Sequence, residues 1–502
     1  MEFYKNFPFF TIVLAMAASM ISGVLKGKYA KIITITVSGI IVVLSGYVFM
    51  ETRAANESFI YLLGHSSAPW GNELRVGVLE AFTAFSFSII FFISLLGGLD
   101  WNGQKGSGKK QNYMYIMFDL VLASMLVLIY TNDMFTAYVF IEINTIAACG
   151  LVASRQKGGA LVATTKYLIM SLLGSGLFLI GLSLLYTITG QLLMPYLKQT
   201  LMEEFFSGAY IQIIPIIIGL FTIGLTMKSG LFPFYSWIPD LYSSASPSGS
   251  AMLSGLVSKA YIFLLIKLIY QVIGVEIWFA SRITTILFIF GLIAMIFGSV
   301  MALIQKDIKR MVAYSSVAQI GYIYMGIGLA TEFGIYAALF HVFSHGVSKA
   351  LLFIAADGLS RSSDGSRQFD HLKGSGYRNI AAGIGFSIGS LSMIGIPLFA
   401  GFISKLNFAE ASLQTPSKTV VTLIVLAIST LLNAVYFLRA VIVIYTPVSN
   451  DMTRTIGWRG EVKFKVAIAA FVALNFILGI ASRPIMDIIA EGVSILGTSP
   501  IV

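Results

Sequence analysis

The chain has 502 residues, of which 57% are hydrophobic and 11% charged, with a formal net charge of +10. A water-soluble domain carries about 25% charged residues, so a soluble fold of this length is excluded and the bilayer becomes the solvent. A single cysteine, Cys149, excludes a disulfide framework or an iron–sulfur cluster within the chain.

Fourteen apolar segments, each near the roughly 20 residues that span a membrane, run through 9–24, 31–50, 76–96, 115–130, 134–153, 166–188, 210–243, 250–271, 283–305, 312–330, 333–357, 380–412, 418–445 and 463–482. The first lacks a strongly basic leader and is expected to stay as a span, not to be cleaved. The segments 210–243 and 380–412 are too long for one straight helix. The loops between spans carry no soluble domain.

The basic residues sort by side. The loops after spans 1, 3, 5, 9, 11 and 13 hold 20 of the 33 Lys and Arg, in clusters such as Lys26-Lys28-Lys31, Lys105-Lys109-Lys110 and Arg454-Arg459-Lys463-Lys465, while the opposite loops hold seven. This asymmetry is a topology signal, not a nucleic-acid surface. It places the odd-numbered loops in the cytoplasm and both termini outside, in a multi-pass protein of the cell membrane.

Six bases remain within the spans: Lys228, Lys259, Lys267, Lys349, Lys405 and Arg439, accompanied by Glu142, His341 and His345. Each charge at mid-membrane costs about 2.5–3.5 kcal/mol on insertion scales. Such groups must face the bundle interior, pair, or touch water, and a water-linked file of titratable groups is what proton transfer requires. Glu142 in span 5 and Lys228 in span 7 are expected to form a pair in which each stabilises the other's charge; separating them would loosen the lysine's proton. The competing reading is a static buried ion pair. Lys259 lies in span 8, and Lys267, two turns on, is expected to snorkel to the outer interface. His341, His345 and Lys349 recur every four residues on one face of span 11. Two His at that spacing resemble half a zinc site, but HVFSH lacks the glutamate of HExxH, no cysteine is near, and His65 and His371 fall in loops. A proton relay is the favoured reading, and no metal or cofactor is expected. Lys405 closes the set in span 12. Arg439 is left outside the path, and Asp357 is expected at the interface.

The two long spans each carry a Gly–Pro interruption, Gly230 with Pro233 and Gly395 with Pro397. Proline removes a backbone hydrogen bond, and freed backbone polar groups are tolerated in a membrane only beside protein or a hydrated cavity. Paired interruptions in corresponding halves point to a transporter built from internal repeats.

The stretches TNDMFTAYVFIE (131–142), KSGLFPFYSWIPDLYSSASPSGSAMLSGLVSKA (228–260), QKDIKRMVAYSSVAQIGY (305–322), HVFSHGVSKALLF (341–353) and IGIPLFAGFISK (394–405) resemble the antiporter-like membrane subunits shared by complex I, membrane-bound hydrogenases and Mrp-type cation/proton antiporters. The resemblance implies an all-α membrane protein of about 14 helices with two inverted five-helix repeats and two broken helices. It divides the chain into residues 1–114 (helices 1–3), 115–271 (first repeat), 272–445 (second repeat) and 446–502 (last helix). It implies a proton route through Glu142, Lys228, Lys259, His341, His345 and Lys405, to which the stripe on span 11 adds Lys349. As partners it implies other membrane subunits in a hetero-oligomer and, in redox-driven members, a peripheral redox arm; the ions are H+ and, as a second candidate, Na+. The chain lacks the long lateral helix of the largest complex I homologue, so it resembles the shorter inner subunits or the D-type Mrp subunit, and the segment 68–75 leans toward the Mrp and hydrogenase branch. A redox-driven complex is the leading reading, a redox-free Mrp antiporter the alternative, and a solitary solute carrier the third.

Overall fold

A backbone crossing hydrocarbon must satisfy its own N–H and C=O groups, and this chain does so with helices. The computed structural model describes residues 3–66, 71–98, 108–208, 210–447 and 462–497. Residues 68–70 of the segment 68–75, and Lys105, Arg454 and Arg459 of the basic loops, lie outside the described residues.

Helices α1 (Phe7–Val24), α2 (Gly27–Ala55) and α3 (Val78–Gly98) come first, with a short antiparallel hairpin, β1 (Phe59–Leu62) and β2 (Glu73–Val76), between the last two. The first repeat comprises α4 (Gly108–Tyr130), α5 (Met134–Ala153), α6 (Gly158–Thr189), the connecting helix α7 (Met194–Ser207), a broken span made of α8 (Ile213–Ser229) and α9 (Trp237–Ser244), and a span made of α10 (Pro247–Met252) and α11 (Ser258–Leu268). After the short α12 (Val275–Ala280), the second repeat comprises α13 (Ile283–Leu303), α14 (Ile308–Gly328), α15 (Glu332–Arg361), the single turn α16 (Ser375–Arg378), the broken pair α17 (Ile380–Ile394) and α18 (Ala400–Leu413), and α19 (Pro416–Ile444). The described chain closes with α20 (Val462–Ile480) and α21 (Ser482–Gly497).

Among the described residues 12 helices are long and apolar enough to cross a membrane. With α14, whose first turn carries Lys309 and Arg310, and the broken pair α17–α18, each of the fourteen apolar segments coincides with a helical span. The span Pro247–Ile273 and helix α15 are enclosed by protein along their length, and these two carry Lys259, His341, His345 and Lys349.

The repeats share their hydrogen bonds as well as their helix order. Met134 N donates to Leu192 O and Met194 N to Asn132 O, both at 2.9 Å, which ties the start of α5 to the chain leaving α6. About 174 residues on, Ile308 N donates to Arg367 O and Phe369 N to Lys306 O, both at 3.0 Å, tying α14 to the chain leaving α15. Asp133 caps α5 by accepting from Thr136 N at 2.6 Å, and Asp307 caps α14 by accepting from Arg310 N at 3.0 Å.

Two intramembrane bases belong to this framework. Lys267 does not snorkel; it is fully buried and its Nζ donates to Ile129 O (2.8 Å) and Thr131 O (2.6 Å) at the C-terminal end of α4. Arg439 does the same in the second repeat, donating to Leu303 O (2.7 Å) and Gln305 O (2.8 Å) at the end of α13. A helix end exposes four unpaired carbonyls and partial negative charge, so a cation from the repeat's last span suits it. Replacing Lys267 by Met should lower stability by on the order of 1.5–3 kcal/mol, with a smaller loss for half-buried Arg439→Met. Thermal unfolding of the purified complex measures this, and an unchanged midpoint for Lys267→Met would refute the capping role.

Candidate functional site: a buried file of lysines and hydroxyls

The two helix breaks set the positions of their lysines. Helix α8 ends at Ser229 with Gly230 in the left-handed region (φ +82°), and α17 ends at Ile394 with Gly395 likewise (φ +91°). The Gly230 N–H closes on Thr226 O and the Gly395 N–H on Leu391 O, a glycine-terminated helix end in both cases. Pro233 and Pro397 follow each stop, and the helix restarts at Trp237 and Ala400. Lys228 sits before its break and Lys405 after its own, so the two lysines are not repeat equivalents; Lys405 returns to donate to Ile394 O at 2.6 Å, a carbonyl at the end of α17.

Lys228 is buried and donates to Thr145 Oγ1 at 2.8 Å. The expected contact with Glu142 is absent: among the described residues no ion pair within 4.0 Å joins them. Thr145, one turn along α5 from Glu142, takes the ammonium, because Glu142 lies on a half-buried face of α5 while Thr145 points inward. Lys228 also lies 5.6 Å from the Tyr261 ring centroid, and the Tyr261 hydroxyl donates to Asn144 Oδ1 at 2.9 Å.

The next groups come from enclosed spans. A π-helical turn over Leu253–Val257 widens the span ahead of Lys259. Lys259 Nζ donates to Ser254 O and to Ser258 Oγ, the latter at 3.1 Å. Ser254 Oγ meets Ser316 Oγ at 3.0 Å across the repeat boundary. The adjacent Ser315 Oγ accepts from Lys349 Nζ, which also donates to Val312 O at 3.0 Å. Ser315 Oγ, Ser316 Oγ and Lys349 Nζ all donate to Val312 O, so the Ser254–Ser316 contact and Lys349 meet at one carbonyl of α14. Ser316 occupies in the second repeat the place that Glu142 holds in the first, about 174 residues earlier, so the membrane-centre position that is acidic in one repeat is a hydroxyl in the other.

Beyond Lys349 the file reaches the two histidines. Their rings stack at 5.6 Å with an interplanar angle of 11°. His341 Nδ1 contacts Ser404 Oγ at 2.6 Å, and Tyr322 stacks on its other side at 5.7 Å. His341 Nε2 and both ring nitrogens of His345 are buried without a protein partner, as are both amide atoms of Gln319. These residues line one small cavity with Ser348, Ser392 and Lys405, whose room suits about one water molecule. Among the described residues no group of three or more His, Cys, Asp or Glu gathers to hold a metal. The interior members of the file are buried, and its end members, Glu142 and Lys405, are half-buried.

The titratable groups stand out in the sequence, but the groups that join them do not. Thr145, Ser254, Ser315, Ser316, Ser404 and Gln319 are ordinary residues of apolar spans until the helices pack. The only signal is a run of hydroxyls, such as Ser315-Ser316, within a stretch that otherwise reads as span.

The comparisons with known proteins identify the family and the fold. Residues 131–433 match the family described as NADH:quinone oxidoreductase/Mrp antiporter, TM. NADH-quinone oxidoreductase subunit N of Desulforudis audaxviator is 33% identical over 399 residues, covering 78% of this chain and 76% of that protein. The D-type subunit of the Na(+)/H(+) antiporter of Alkalihalophilus pseudofirmus is 28% identical over 425 residues, covering 85% and 83%. Among solved structures, a chain of the membrane-bound sulfane sulfur reductase, an archaeal respiratory membrane complex, superposes with a TM-score of 0.85 at 23% identity, and a chain of the Mrp complex from Dietzia sp. does so at 0.85 and 18%, each covering 99% of this chain and 98% of its own. The chain thus belongs to the NADH:quinone oxidoreductase/Mrp antiporter transmembrane family, and its fold is an all-α membrane protein.

A Cβ at Gly395 would lie 3.0 Å from Lys405 Cδ on a backbone conformation that side chains disfavour. Gly395→Ala should therefore cost about 1–2 kcal/mol and displace Lys405. Gly176→Ala, which meets nothing within 4 Å inside α6, should be neutral or slightly stabilising. Thermal unfolding of the two variants side by side measures the difference, and equal midpoints would contradict the tight fit at Gly395.

Proposed function

We propose that this chain is the proton-translocating subunit of a multisubunit membrane complex that couples redox chemistry to ion transport. The observation that carries the reading is the file itself, in which Lys228, Lys259, Lys349, the His341–His345 pair and Lys405 lie in the packed interior with hydroxyls, carbonyls and one small cavity between them. Charged side chains within spans mark ion pathways and proton relays. In this reading Lys228 exchanges partners: it is held by Thr145 in the state seen, and approach toward Glu142 holds its proton while withdrawal releases it to the next carrier. Lys259 passes the proton across the repeat boundary to Lys349 through water that enters along Ser254, Ser316 and Ser315, and the histidines and cavity carry it to Lys405.

The redox-driven assignment draws its support from the NADH-quinone oxidoreductase name of the Desulforudis relative, and it brings a peripheral redox arm and quinone chemistry on other subunits as partners. The redox-free antiporter remains the second reading because the Alkalihalophilus antiporter relative aligns over 85% of the chain. Under either, H+ is the ion on this file, Na+ crosses the same complex, lipid surrounds the outer helices, and both termini lie outside. The recurrence of backbone hydrogen bonds supports two repeats, which we divide at residues 114, 271 and 445.

Glu142→Ala and Lys228→Ala should each abolish proton transport by the assembled complex in proteoliposomes while leaving its subunit composition unchanged; normal transport in both would end the proposal. Lys405→Ala should block the far end of the file and lower the rate to a comparable degree. A wild-type rate in that variant would remove Lys405 from the route.

A further inference from the structure

On the face formed by the loops after α5 and α15 lies a cleft of about 1050 Å³, including its open mouth, lined by Arg155, Lys157, Lys309, Arg361 and Arg367 and by one carboxylate, Asp357. The file described above does not use it. Asp357 is already engaged, with Arg361 Nε at 2.8 Å and Lys309 Nζ at 3.8 Å, and Arg367 reaches Asp307 at 3.1 Å. Two acids against five bases leave a net positive cleft. Burial, together with the neighbouring Arg367 and against the opposing pull of Asp357, pushes the Arg155 guanidinium down to about 10.

The cleft also receives the start of a 32-residue helix. Gly159 and Ala160 of α6 line it. The residue in the capping position is Lys157, with no side-chain cap and no acid in the first turn. The first intrahelical bonds come from Ala160 N and Leu161 N, and the space over Gly158 and Gly159 is open. The equivalent start in the second repeat, about 174 residues on, is built the opposite way: Thr331 Oγ1 accepts from Gly334 N at 3.1 Å, and Glu332 occupies the first turn. A helix N-terminus concentrates partial positive charge and unpaired N–H donors. In α15 the chain answers these donors itself, whereas in α6 it adds a lysine, an arginine and open room.

We propose that this cleft binds a phosphate-bearing anion, with Lys157, Arg155 and Arg361 and the N–H groups at the start of α6 around its oxygens. Arginine suits planar, forked recognition of phosphate. Basic pockets at the cytoplasmic ends of membrane helices take acidic lipid headgroups, and a free phosphate group presents the same chemistry.

The test uses the purified, delipidated complex and two probes: nanodiscs of phosphatidylglycerol against phosphatidylcholine, and inorganic phosphate in detergent. Thermal midpoint is the readout, with native mass spectrometry for retained lipid. The double variant Lys157→Gln/Arg361→Gln should weaken binding about 30-fold, and Lys157→Gln alone, which touches only an exposed side chain and spares the Asp357 pairs, about fivefold. A shift with phosphatidylglycerol that phosphatidylcholine and phosphate do not give supports the proposal with a lipid as the source. A shift with phosphate alone supports it with a soluble source. No shift with either probe, or a shift undiminished in Lys157→Gln and the double variant, overturns it.

Discussion

An ammonium group carried into hydrocarbon without hydrogen-bond partners costs several kcal/mol, and every lysine inside this bundle is placed under that constraint. The structure meets it in two ways. Lys267 is spent on helix ends: its ammonium satisfies carbonyls that α4 cannot satisfy for itself. Lys228, Lys259 and Lys349 are each held by one or two neutral oxygens, and among the described residues no carboxylate lies within 4.0 Å of them. A lysine in a tight ion pair would keep its proton. One held by a hydroxyl and a carbonyl is poised between keeping it and passing it on, and the proposed function depends on that difference.

The paired repeats explain why buried lysines recur across the bundle. Each repeat brings its own broken span, helix caps and cation-capped first helix, so the same local packing is built twice and the two copies meet where Pro247–Ile273 packs on α15 and α9 packs on α14. The Ser254–Ser316 contact lies at this seam, between the lysine of one copy and the lysine of the other. The copies have diverged in chemistry while keeping their backbone bonds: a glutamate in α5 stands where α14 has a serine, and α15 carries two histidines and a lysine where α6 has Tyr167, Ser171 and Ser175.

Much of this fold is legible in the chain. Apolar length marks the spans, because the bilayer thickness imposes it, and the Gly–Pro interruptions mark the breaks, because neither residue continues a helix there. The titratable residues are visible because charge in an apolar run has few innocent explanations. What stays hidden depends on packing angles. Nothing local says that Lys228 turns to Thr145 and not to Glu142, which are within one turn on the same helix. Lys267 and Lys259 look alike in sequence, two turns apart on one span, yet one caps a helix end and the other lies in the file. Arg439 has no acidic neighbour to give its place away; its partners are backbone carbonyls, which no pattern of side chains announces.

The claim that protons cross the boundary between the repeats rests on Lys259, which lies next to the Ser254–Ser316 contact. Proton flux through the reconstituted complex, measured with a pH-sensitive dye trapped in the vesicles, tests it when Lys259 is replaced by Met, a side chain of similar length that carries no proton. The account predicts that flux falls to background while the subunits remain assembled. Flux at the wild-type rate would show that protons take another way through the bundle.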